Sequence, residues 1–109
     1  MEIEMQVHPS NGNIFADLGL PNPDELLLKA QLAEQIGTLI SARQLTQSEA
    51  AELLGIDQPK VSALMRGKLS GFSTERLFRF LNALGSNVEI RIVANSQPNV
   101  QAQTHVVAL

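Results

Sequence analysis

The stretch QSEAAELLGIDQPKVSALMR, Gln47 to Arg66, sets two short helical patterns on either side of a break at Gly55, Ile56 and Asp57. Thr46 and Glu49 stand three apart before the first pattern, the spacing at which a threonine and a glutamate cap a helix reciprocally. Gly55 ends that helix in left-handed geometry, which glycine adopts at little cost. Asp57 caps the second helix, and Pro59 is tolerated because the first turn needs no intrahelical N–H bond there. Two steeply crossing helices approach closely only where the contact residue is small, which Ala51 supplies. Ile56, Val61 and Leu64 turn inward and fix the second helix, with Ile56 and Val61 spaced as a hydrophobic staple. Ala51, Gly55, Ile56, Val61 and Leu64 are thus expected to build a helix-turn-helix unit. Gln58, Lys60, Ser62, Ala63 and Arg66 are left facing outward.

Working outward, Pro21-Asn22-Pro23 marks a helix start, with Asn22 as cap and Glu25 completing a capping box. A long helix is expected from about Pro23 to Arg43, with Leu28, Leu32, Ile36, Leu39 and Ile40 on one face and Gln31, Glu34, Gln35, Thr38 and Ser41 largely elsewhere. Before it, Ile14, Phe15, Leu18 and Leu20 form an apolar lead-in, and residues 1–8 alternate apolar and polar as a half-buried strand does. On the other side, Gly67 and Gly71 bracket a loop. Ser73 caps a fourth helix whose Leu77, Phe80, Leu81 and Leu84 share a face, with Phe72 placed to staple onto Leu77 and Gly85 as the stop. Val88, Ile90 and Ile92 then alternate with Glu89 and Arg91, the pattern of one strand. The expected fold is mainly α, a bundle of four to five helices with a C-terminal β-strand. An N-terminal extension would occupy residues 1–12, the helix-turn-helix domain 13–94, and a flexible polar tail 95–109.

Composition removes most chemistries. A chain of 109 residues, 44% of them hydrophobic, is enough for one core. No Cys is present, and the two His, His8 and His105, lie one near each end, so neither a thiolate site nor a histidine dyad is expected. The acids are spread over helix surfaces, so no catalytic constellation, metal or cofactor is expected. No apolar run approaches the ~18 residues needed to cross a bilayer. MEIEMQVHPS lacks the basic start and apolar core of a signal peptide, so a cytoplasmic protein is expected.

The formal net charge is −3, at first sight a poor match to nucleic acid. Its distribution is uneven. Residues 58–80 carry Lys60, Arg66, Lys68, Arg76 and Arg79 against Glu75 alone, and this basic segment begins with the second helix of the motif. Taken alone, such a run is no more than a solvated face. Together with two consecutive caps and a short turn, it points to DNA as the partner, with weak non-specific affinity.

The segment resembles the helix-turn-helix of the XRE family, which includes the lambdoid phage repressors and Cro. In those repressors one glutamine opens the first motif helix and another opens the recognition helix, and Gln47 and Gln58 stand in that relation here. The resemblance implies a lambda-repressor-like fold in which Gln47 bonds a phosphate and braces Gln58. Gln58 would then contact an adenine edge in the major groove, as glutamine geometry suits. Lys60 and Ser62 would face the groove or its wall, Arg66 would meet phosphate, and Lys68 and Ser70 would extend that clamp. Pro59 departs from the pattern, replacing what is often a polar base-reading residue, so readout there is lost or becomes apolar.

The likeness covers about Asn13 to Val93, including NIFADLGLPNPDELLLKAQLAEQI, GKLSGFSTERLFRFLNALG and VEIRI. It is similar to a compact subgroup common among HigA-type antitoxins, which repress their own promoters as dimers and neutralise small HigB/RelE-type ribonuclease toxins. This implies a homodimeric repressor of its own operon, bound to a palindromic operator, with a toxin as possible partner. The rivals are a stand-alone or prophage-derived regulator and a protein-interaction module that no longer touches DNA. Dimerisation is expected through the fourth helix, near Phe78, or through the strand at Val88–Val93. That strand should pair with its symmetry mate or with the N-terminal strand, since a lone strand leaves its edges unsatisfied. A free N-terminal strand could instead add to a toxin's sheet.

Overall fold

The computed structural model describes residues 23–108 together with the backbone of residues 3–4. In chain order the elements are β1 (Ile3–Glu4), α1 (Pro23–Ala42), α2 (Gln47–Leu54), α3 (Gln58–Met65), α4 (Thr74–Ala83) and β2 (Val107–Ala108). The mainly helical bundle expected from the sequence is present, with four helices among the described residues and a short C-terminal strand. The lead-in at Ile14–Leu20 and the cap at Asn22 lie outside the described residues.

α1 is the spine. It buries Leu32, Ile36 and Ile40 at the i, i+4, i+8 spacing that keeps side chains on one helical face, with Leu28 and Leu39 half-buried beside them. α1 packs against α4 and α3, and α2 against α3 and α4, so every helix borders one core. That core is completed by Ala50, Ala51, Leu54, Val61, Leu64, Leu69, Phe72, Leu77, Phe80, Leu81 and Leu84. Phe72 and Phe80 meet edge to face, with ring centroids 5.9 Å apart at 76°.

All four helices close in one way. Each ends with a residue in left-handed geometry, at Gln44, Gly55, Gly67 and Gly85. The N–H of the following residue then donates to the carbonyl five positions back: Leu45 to Ile40, Ile56 to Ala51, Lys68 to Ala63 and Ser86 to Leu81. This satisfies carbonyls that a helix end would leave without partners. Gln44, at φ 56°, is the one residue with a side chain to hold that geometry among the described residues.

The structure corrects the expected strands. Val88–Val93 forms no strand; Val88 rests on the core, but Ile90, Ile92 and Val93 are exposed. β1 pairs instead with β2, antiparallel, Ile3 opposite Ala108 and Glu4 opposite Val107; the rest of the expected N-terminal strand lies outside the described residues. The polar segment from Asn95 therefore brings the chain end back to the bundle, where Val106 packs on the core. Gln31 explains how. Expected off the apolar face, it is 5% exposed, and its Oε1 accepts the Val106 N–H at 3.1 Å. A buried amide would be costly unbonded, and here it receives the returning backbone.

Candidate nucleic-acid interface

α2 and α3 are built by local chemistry. Thr46 and Glu49 form a complete capping box: the Thr46 N–H donates to Glu49 Oε1 at 2.9 Å, and the Glu49 N–H to Thr46 Oγ1 at 3.1 Å. The bonds from the Thr46 backbone N–H and then its hydroxyl hold the Glu49 carboxyl below its ordinary range, because they favour the charged form. Gly55, at φ 71° and ψ 31°, ends α2. Asp57 then caps α3, its Oδ1 accepting the Lys60 N–H at 2.9 Å, with proline in the first turn. Ala50 and Ala51 are both buried, so α2 turns two small side chains to the core where the sequence pointed to Ala51 alone.

α3 buries Val61 and Leu64 and leaves Gln58, Pro59, Lys60 and Arg66 exposed. At 100° per residue, Pro59 and Arg66 lie opposite the buried pair, flanked by Ser62 on the Gln58 side and Ala63 on the Lys60 side, with Gln58 and Lys60 on the two shoulders. Ser62 and Ala63, expected outward, are half-buried. The helix is only about 12 Å long, short enough to lie within one major groove.

The charged side chains sort into two groups. On α4, Arg79 Nη2 bonds Glu75 Oε1 at 2.7 Å, and Arg76 lies over the rings of Phe72 and Phe80 at 5.2 and 5.6 Å while donating to the Gly71 carbonyl. Arg76 thus packs on the α4 face, while Arg79 stays exposed in a surface pair. Lys60, Arg66 and Lys68 remain exposed around α3. Arg66 Nε donates to the Ser62 carbonyl at 3.3 Å, which holds the guanidinium at the end of α3. Lys60 Nζ lies 3.9 Å from Asp57 Oδ2, a long, exposed pair that a phosphate can displace at little cost. Asp57, read from sequence only as a cap, thereby also sets a negative charge beside the proposed contacts.

Gln47 and Gln58, at the first positions of α2 and α3, are both exposed, and no hydrogen bond joins them. Lys68 and Ser70 are exposed beyond α3. Among the described residues no three His, Asp or Glu side chains gather as a metal site. No helix among them is long and apolar enough to cross a membrane.

Comparison with known proteins agrees with this geometry. A family model described as a helix-turn-helix domain matches residues 14–93. A solved structure of an XRE-family transcriptional regulator superimposes with a TM-score of 0.77 at 45% sequence identity, covering 82% of this chain and 100% of that one. Among curated proteins none matches.

Proposed function

The chain belongs to the XRE family of helix-turn-helix, DNA-binding transcriptional regulators, and from that premise we propose that it is a dimeric repressor reading a palindromic operator with α3. The observation that carries this reading is the make-up of α3. Val61 and Leu64 bury it against the core, and it turns Gln58, Pro59, Lys60 and Arg66 to solvent. Gln58 reads an adenine edge, and Gln47 bonds a phosphate and braces it once DNA is present. Lys60 and Arg66 bond phosphates along the groove, Ser62 reaches its wall from the Gln58 shoulder, and Lys68 extends the clamp. Pro59 offers no donor and contributes apolar contact, which suits a thymine methyl.

The operator lies in the chain's own upstream region, and the chain acts as an antitoxin with a ribonuclease toxin as second partner. The likeness of residues 13–93 to the HigA-type subgroup supports this finer role. A transcriptional reporter driven by that upstream region tests the repressor reading: added chain lowers expression and Gln58→Ala restores it. Unchanged expression contradicts autorepression. Co-expression with the neighbouring gene tests the second partner; failure to recover a complex leaves a stand-alone regulator.

A further inference from the structure

After α4 the chain runs Val88-Glu89-Ile90-Arg91-Ile92-Val93. Val88 packs on the core, while Ile90, Ile92 and Val93 are 74%, 96% and 80% exposed. Among the described residues no backbone hydrogen bond ties these six to another segment. A β-branched stretch of period two, anchored at one end and otherwise in water, has the composition of a strand that lacks its neighbour.

We propose that the neighbour is the same segment of a second copy, paired antiparallel with the two-fold axis at Ile90. The register follows from the sequence. Residues directly opposite in a sheet share a face, so any one-residue slip would set Ile92 or Ile90 against a charge. Of the registers that keep the faces matched, centring on Val88 or Ile92 leaves Glu89 and Arg91 opposite no charge, while centring on Glu89 opposes it to its own copy and centring on Arg91 opposes two guanidinium groups. Both like-charge juxtapositions destabilise. Centring on Ile90 sets Glu89 opposite the partner's Arg91 and Arg91 opposite the partner's Glu89. Ile90 then meets its copy, and Ile92 lies opposite the partner's Val88, beside that copy's core. A generic strand acceptor on another protein would not require this self-complementary charge order. The pairing deepens the dimeric reading above and rests on it, but it is measurable without DNA.

The test is sedimentation equilibrium of the full chain in the absence of DNA, with helicity checked by circular dichroism. The wild type dimerises. Glu89→Arg and Arg91→Glu each weaken the dimer roughly tenfold or more, since each change places like charges opposite at two symmetric sites. The double variant Glu89→Arg/Arg91→Glu regains wild-type dimerisation. Mixing the two single variants yields a heterodimer, because each then supplies the charge that the other lacks. A monomeric wild type at its highest soluble concentration overturns the proposal, as do single variants that dimerise like wild type or fail to associate on mixing. DNA binding of the same variants, measured separately, shows whether α3 recognition stands in its absence.

Discussion

Gln58 and Arg66 stand at opposite ends of α3 and are exposed alike, yet in the proposed interface their chemistry would divide the work. A glutamine amide presents a donor and an acceptor side by side, the complement of an adenine edge, so its contribution depends on the base. A guanidinium has only donors and meets phosphate wherever it lies along the duplex. Gln58→Ala should cost about 1–3 kcal/mol at the cognate operator and leave non-specific affinity unchanged. Arg66→Ala should weaken all sequences alike and reduce the salt slope by roughly one. Fluorescence anisotropy on cognate and scrambled duplexes checks both. Identical behaviour of the two variants would remove the division between base reading and phosphate clamping.

The ends of the helices show what local sequence can and cannot declare. Thr46 with Glu49, Asp57, Ser73 and Gly55 were legible because each acts within four residues of itself, and all four cap as read. The end of α1 was less so, because Gln44 takes a left-handed position usually given to glycine. Its side chain makes that geometry costly, so Gln44→Gly should raise stability by about 0.5–1 kcal/mol. At Gly55 an added Cβ meets nothing within 4 Å, so Gly55→Ala carries only the conformational cost, about 1 kcal/mol. Urea denaturation measures both, and equal midpoints for both variants and wild type would contradict the account. The Thr46–Glu49 box adds a pH dependence. Glu49 has a lowered folded pKa, so the unfolded chain binds the proton more readily. The stabilisation from the box is therefore present above the unfolded pKa and lost as pH falls through the folded one. Glu49→Gln should flatten that acid limb of a stability–pH profile; an unaltered limb would assign it to other groups.

At the scale of the whole molecule, what escaped the sequence was tertiary. The alternation at Val88–Val93 is that of a strand, but a strand is completed by a partner, and the chain spends its own short pairing on residues 3–4 with 107–108. Gln31 looked like helix surface because its partner, the Val106 N–H, lies 75 residues away. Likewise five basic residues formed one run in sequence, yet folding lays Arg76 over the Phe72 and Phe80 rings, sets Arg79 beside Glu75 on α4, and leaves Lys60, Arg66 and Lys68 around α3. An acidic protein with a small basic face should bind DNA weakly in general and tightly at one site, with strong dependence on salt. If Lys60, Arg66 and Lys68 each bond a phosphate as proposed, six contacts in the proposed dimer predict a slope of log affinity against log salt of about −5. A gel-shift titration of the full chain on its own upstream region, repeated across salt concentrations, measures this directly. The account predicts a discrete complex with a slope near that value; no complex even at low salt would contradict the assignment of α3 to DNA.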